Sequence, residues 1–197
     1  MNTLSQFLCS LKPAKIIDVS PGEYLFNQNN STKGIFVIKA GRIKLIRNTV
    51  DGNPVIIHIA HAPDSLAEAS LFSDRYHCHA RSDVRSQAFL YDKEQILTYL
   101  STDTALSLDF IEILTKQIQK LRLMIELRGI RSPRERFMQY LKITVNSELF
   151  LQIESTYKDL AITLGMTHEA LYRVLGQLEK ENVITRHENK IFFCQYD

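Results

Sequence analysis

Glu169 and Arg173 are a carboxylate and a guanidinium four residues apart, with Thr167 and His168 just ahead of them. On a helix such a pair shares one face. A guanidinium can donate two parallel hydrogen bonds to guanine, and a carboxylate can accept one from the amino group of cytosine. The pair also fits a plain solvated i, i+4 ion pair, so the flanking sequence has to decide. That sequence is TYKDLAITLGMTHEALYRVLGQLEKE, residues 156–181. Thr156, with Asp159 three residues on, is a capping arrangement for a first helix, and Leu160, Ala161 and Leu164 form its inner face. Gly165 serves a tight left-handed turn. Thr167 then caps a second helix whose inward residues are Leu171, Val174, Leu175 and Leu178. Glu169, Arg173 and Gly176 fall on the opposite arc, where Gly176 leaves space for a close backbone approach. Val183-Ile184, a polar turn over residues 185–190, and Ile191-Phe192-Phe193 read as a two-stranded wing. Helix, turn, helix and wing in succession predict a reader of double-stranded DNA, whose second helix enters the major groove by its N-terminal end. The candidate DNA-binding residues are Thr156, Thr167, His168, Glu169, Tyr172, Arg173 and Gln177. Thr156 is placed to hold a phosphate at a helix N-terminus, and His168 to reach a base or a phosphate.

The elements that must position this reader lie upstream. Short runs rich in Ile, Val, Phe and Tyr predict strands over residues 15–19, 24–27, 34–39, 42–48, 55–60, 79–84 and 88–92. Many alternate apolar with polar, as half-buried antiparallel strands do. Pro21-Gly22, Ala40-Gly41, Asp51-Gly52 and Pro63-Asp64 punctuate them as turns, which suggests a sandwich or small barrel. The period changes after Asp92. A short helix is predicted over residues 93–100 and a long one over 104–128, a stretch without Pro or Gly. Ile111, Leu114, Ile118, Leu121 and Ile125 are spaced 3, 4, 3, 4, a coiled-coil seam and the candidate dimer interface. Leu106, Phe110 and Ile113 form a second stripe suited to the β-domain. A helix covering only its own sheet needs one apolar face; two faces predict a helix shared with a partner, and so a two-fold homodimer. Gly129 and Ser132-Pro133 break it, with Pro133 at the first position of the next helix. The fold class expected is α+β: an N-terminal antiparallel, jelly-roll-like β-roll (residues 1–100), a long dimerisation helix (101–129) and a C-terminal winged helix-turn-helix (130–197).

Composition narrows the function by exclusion. A net charge of +2 is too small to imply nucleic acid on its own, so the DNA reading rests on the local motif. No apolar run reaches the roughly 18–20 residues of a membrane span, and the N-terminal segment lacks a basic stretch followed by an apolar one. A cytoplasmic protein that does not engage a membrane is expected. Cys9, Cys78 and Cys194 are far apart and odd in number, so they predict simple thiols and neither a disulfide framework nor a metal motif. A metal-dependent β-roll enzyme of cupin type would use His77 and His79 as a ligand pair. It would also need a carboxylate and a third histidine at fixed spacing; Asp83 is close, but no third histidine falls on a later strand. No catalytic residue and no metal ligand is assigned, and the chain is read as a non-enzyme.

The stretches GIFVIKAGRIKL, PDSLAEASLF, SPRERFMQYL and DLAITLGMTHEALYRVLGQLEKENVI together resemble the Crp/Fnr family of bacterial regulators over nearly the whole chain. The resemblance implies a cyclic-nucleotide-binding-type β-roll, dimerisation through the long helix, a palindromic promoter site and RNA polymerase as a protein partner. By motif position Glu169 and Arg173 match the family's base-reading Glu and Arg, whereas His168 stands where many members carry Arg or Ser. The candidate effector residues carried over are Glu68, Tyr76, His77, Gln117 and Leu121. Here the chain departs from the nucleotide-binding pattern. Ala67 replaces its Gly, Tyr76-His77 fall where an Arg-Ser pair clamps the phosphate, and Gln117 and Leu121 replace Arg and Thr. A phosphate buried without its arginine forfeits a charge-assisted bidentate contact, so no useful cAMP binding is expected. No N-terminal cysteine cluster is present for an Fe–S centre. The loop over residues 65–72 is similar to that of the subgroup sensing nitric oxide through haem, and His58, His61, His77 and His79 lie in the sensor. The cofactor stays open at this stage between haem or a transition metal, an apolar small molecule, and none.

Overall fold

Alternating apolar residues give each N-terminal strand one side to hide, and two antiparallel four-stranded sheets hide them against each other. The computed structural model describes Leu8 and residues 11–52, 54–145, 149–153 and 156–194. Cys9 lies outside these residues, as does most of the N-terminal segment read for a leader. The strands are β1 (Lys15–Val19), β2 (Tyr24–Phe26), β3 (Gly34–Ala40), β4 (Arg42–Asn48), β5 (Pro54–His61), β6 (Ser65–Leu66), β7 (His79–Ser82) and β8 (Ser86–Asp92). One sheet runs β1-β8-β3-β6 and the other β2-β7-β4-β5. The predicted strands are all present to within a few residues; β6, two residues long, carries no period from which it could be read.

Strand β3 shows why this half folds. Its five residues Gly34–Ile38 are all buried, because both of its faces are covered. Phe36 and Ile38 join Phe26, Ile43, Leu66, Tyr76, Cys78, Ala80 and Leu90 in the core between the sheets. Ile35 and Val37 point the other way, into a second core with Tyr91, Ile96, Phe110 and Ile113. Each such side chain contributes roughly 1.5–3 kcal/mol by leaving water. Gly34 has φ +149°, and a Cβ there would meet the Tyr91 carbonyl oxygen at 1.8 Å, so only glycine fits this crossing.

Helix α1 (Lys93–Thr102) is capped by Asp92, which accepts from the Glu94 and Gln95 amides. Helix α2 (Thr104–Gly129) follows. The stripe of Leu106, Phe110 and Ile113 packs on the β-domain as its spacing predicts. Of the seam residues, Ile111, Ile118, Leu121 and Ile125 are between 49% and 71% exposed. Leu114 instead packs partly against the second core. Phe72, Leu97, Leu100, Phe110, Ile111 and Leu114 line an apolar hollow of about 380 Å³ beside the stripe. No described helix is long and apolar enough to cross a membrane.

Contacts divide the chain into two compact units, which meet in sequence between Gln117 and Ile118, inside α2. The second unit continues with α3 (Pro133–Thr144), β9 (Phe150–Gln152), α4 (Tyr157–Thr163), α5 (His168–Lys180), β10 (Ile184–His187) and β11 (Lys190–Phe193). Ser132 caps α3, and Pro133 occupies its first turn. The wing is a three-stranded sheet, ordered β10-β11-β9, not the two-stranded hairpin expected. Leu151 of β9 is buried in the core of this unit with Phe137, Leu141, Leu160, Leu171, Leu175, Leu178, Ile184 and Ile191. The sequence reading did not include β9.

Candidate functional site

Helices α4 and α5 meet at a turn that other residues hold in place. Gly165 has φ +62°, the left-handed turn its type predicts. A buried arginine locks that turn. Arg136 of α3 donates from Nη1 to the carbonyls of Leu164 (2.9 Å) and Gly165 (2.8 Å), and from Nε and Nη2 to that of Ile130 (3.0 and 2.6 Å). Arg128 lies against the same turn, its Cγ 3.2 Å from where a Cβ on Gly165 would sit. Neither arginine was singled out from sequence. The SPRERF motif carried the signal for Arg136, since an arginine on the inner side of an amphipathic helix needs carbonyl partners.

Both caps form as the motif predicts. Thr156 Oγ1 accepts from the Asp159 amide (3.1 Å) and donates to its carboxylate (2.8 Å), so this hydroxyl is already committed. Thr167 Oγ1 accepts from the Ala170 amide at 3.1 Å and opens α5. Leu171, Val174, Leu175 and Leu178 are buried, while His168, Glu169, Tyr172, Arg173 and Gln177 lie on the outward side, all five of them exposed. Among the described residues Glu169 and Arg173 form no ion pair with each other; the pairs present lie elsewhere. Glu169 is held below the usual carboxylate range by the helix's own backbone amide and by Thr167. At the first turns of α5 the surface therefore offers an ionised acceptor and a bidentate donor side by side. Around Gly176 the space is open. Gln177 differs from the rest: its amide donates to Glu181 Oε1 at 2.9 Å, at the far end of the helix.

Sequence reading missed one feature of this surface. Arg186 of β10 grips Glu179 of α5 through a two-pronged fork, Nε to Oε1 at 2.7 Å and Nη2 to Oε2 at 2.6 Å. Arg186 beside it holds the Glu179 carboxyl below its ordinary range.

In the other unit, the loop after β6 brings two of the proposed effector residues together. Glu68 Oε1 accepts from Ser65 Oγ and from Gln117 Nε2 (3.3 Å). Burial pushes its carboxyl up, against the lowering pull of Ser65 and Gln117. Ala67, the residue standing for glycine, has φ +76°, a left-handed conformation costing a non-glycine residue roughly 1–2 kcal/mol. Tyr76 is 1% exposed. It stacks on Phe26 at 4.0 Å, and its hydroxyl accepts the Lys33 amide at 2.9 Å, so it serves as wall. His77 is exposed with Nδ1 on Ser70 Oγ at 2.8 Å. His79 Nδ1 turns to Asn27 and Gln28 instead, so the two rings do not form a ligand pair. Leu121 lies beyond the division of the helix, 61% exposed. The Cys78 thiol is buried and pushed up to about 11, which keeps it protonated and inert. Among the described residues no cluster of three His, Cys, Asp or Glu side chains is arranged to hold a metal ion.

Residues 16–103 match the family model of the cyclic nucleotide-binding domain. The chain is 24% identical over 175 residues to the anaerobic regulatory protein of Bacillus subtilis, covering 84% of this chain and 74% of that one. Among solved structures it is similar to FixK2 from Bradyrhizobium japonicum, with TM-score 0.72 at 14% identity and 92% of each chain covered. It is also similar to a CRP-family transcriptional regulator from Thermus thermophilus, with TM-score 0.62 at 13% identity and 91% and 92% covered. The chain thus contains a cyclic nucleotide-binding domain and has the fold of these solved regulators. Two facing sheets, a long helix and a winged helix-turn-helix make up that fold.

Proposed function

We propose that this chain is a transcription regulator of the Crp/Fnr type, a homodimer that binds a palindromic promoter site and acts on transcription with RNA polymerase. The observation that carries the reading is the pair of Glu169 and Arg173 on the exposed arc of α5, near its N-terminus and not bonded to each other. A guanidinium there is available to guanine, and the ionised carboxylate to cytosine. The exposed stripe of Ile118, Leu121 and Ile125 supports pairing of two α2 helices. Such pairing would present two α5 helices to successive major grooves about 34 Å apart. We assign residues 1–100 to sensing, 101–129 to dimerisation and 130–197 to DNA reading, in a cytoplasmic protein.

The sensor is proposed to be unresponsive to cAMP. Tyr76 and His77 stand where a cyclic phosphate would need its arginine, and the partners of Glu68 come from the chain itself. An effector that engages Glu68 would have to displace Gln117, and only its differential affinity for two packings of α2 would shift the equilibrium.

The test is selection of operator duplexes from a random pool, followed by fluorescence anisotropy with wild type and Arg173→Ala. A palindrome should emerge, and the substitution should cost about 1–3 kcal/mol and relax one base pair per half-site. Failure to enrich any sequence would overturn the reading, and unchanged selectivity in the variant would remove Arg173 from it. Addition of cAMP should leave the affinity unchanged.

A further inference from the structure

A line of contacts runs across the reader surface from the wing to the tip of α5. Arg186 begins it, fixed by both prongs to Glu179. Its guanidinium lies over the Tyr157 ring at 5.8 Å and the Tyr172 ring at 5.9 Å. These rings meet edge to face at 5.6 Å, and His168 meets Tyr172 at 4.6 Å. Three elements are joined: β10 through Arg186, α4 through Tyr157, and α5 through Glu179, Tyr172 and His168. Tyr172 is 44% exposed and adjoins Arg173.

An arginine that served as a phosphate ligand would keep its donor edge free. Here the Nε/Nη2 edge is spent on a carboxylate that cancels the charge, while the two rings lie against the flat face. What the fork supplies is order. A tyrosine and a histidine on an exposed helix each have several rotamers, and freezing one such side chain on binding costs about 0.5–1.5 kcal/mol. Resting on the DNA-binding reading above, we propose that Arg186 is a positioning residue. Anchored by Glu179, it holds Tyr157, Tyr172 and His168 as a preformed rim beside Arg173, so that the wing sets how α5 meets DNA without Arg186 itself contacting a phosphate.

The experiment uses the full chain and its selected operator, with Arg186→Lys, Arg186→Gln, Glu179→Gln and the double variant Glu179→Gln/Arg186→Gln. Each single variant should weaken operator binding by about three- to ten-fold, and the double variant should be no weaker than either. Lysine keeps the charge but cannot form the fork, so Arg186→Lys should fail to rescue. The slope of log affinity against log salt should stay at the wild-type value. Two results would overturn the proposal: binding at wild-type strength in all variants, or a slope reduced by about one in Arg186→Gln with Glu179→Gln neutral, the mark of a phosphate ligand. A readout without DNA separates this from failure of the DNA-binding reading. The ring proton shifts of Tyr172 should move toward random-coil values in Arg186→Lys and Glu179→Gln whether or not any duplex binds. Should Arg186→Gln not fold, the isosteric Glu179→Gln carries the same comparison.

Discussion

Glu68 is an acid whose environment can be read in a titration. Burial raises its carboxyl above the ordinary range, with a smaller push from Asp64, although Ser65 and Gln117 donate to it. Between the unfolded and folded pKa values the folded chain therefore holds more proton than the unfolded one. The stability this contributes is complete below the unfolded pKa and is lost as pH rises through the folded one. Glu68→Gln, which mimics the protonated acid, should flatten the dependence of Tm on pH and raise Tm at neutral pH. Calorimetry from about pH 4 to 8 checks this, since the linkage lies in the acid-to-neutral window; parallel curves for the two proteins would exonerate Glu68. The same loop shows what sequence could and could not say. That Ala67 departs from a glycine pattern was legible, but its positive φ, which gives the departure a physical cost, was not. Tyr76 was placed by motif position at the effector, yet its burial depends on Phe26, far away in sequence, and no local pattern encodes that.

The elements were most legible where caps and period agree. Thr156 and Thr167 cap the helices they were expected to cap, Pro133 opens α3 where its position predicted, and the two stripes of α2 separate, apart from Leu114, into a buried and an exposed face. Elements of two or three residues, β6 and β9, exist only because a neighbouring strand supplies their hydrogen bonds. The fastening of the reader was legible only in part: an arginine on the inner side of α3 calls for carbonyl partners, but nothing local says that two of them are Leu164 and Gly165, 28 and 29 residues on. Arg136→Met should show its weight. The substitution strands the carbonyls of Ile130, Leu164 and Gly165 and should cost on the order of 2–4 kcal/mol. Urea denaturation followed by circular dichroism measures it, and a loss below about 1 kcal/mol would mean that water replaces the guanidinium without penalty.

For the whole molecule the decisive property is association. An isolated chain leaves Leu108, Ile111, Ile118, Leu121 and Ile125 of α2 exposed, an apolar stripe of the kind that marks an interaction surface. On the proposed pairing of α2 helices, wild type should sediment as a dimer in analytical ultracentrifugation, and Leu121→Glu and Ile125→Glu as monomers. Those monomers should lose cooperative binding to a full palindrome while keeping folded sensors. A wild-type monomer would refute the arrangement.

The bonds made by Arg136 have a mechanical consequence. One planar group, unable to bend, is bolted at one end to the strap leaving α2 and at the other to the corner between α4 and α5. Ile130 and Gly165 are thus linked through a single rigid group. Were the last turn of α2 to twist, this link would carry the motion to the corner ahead of α5, and a flexible side chain at position 136 would not.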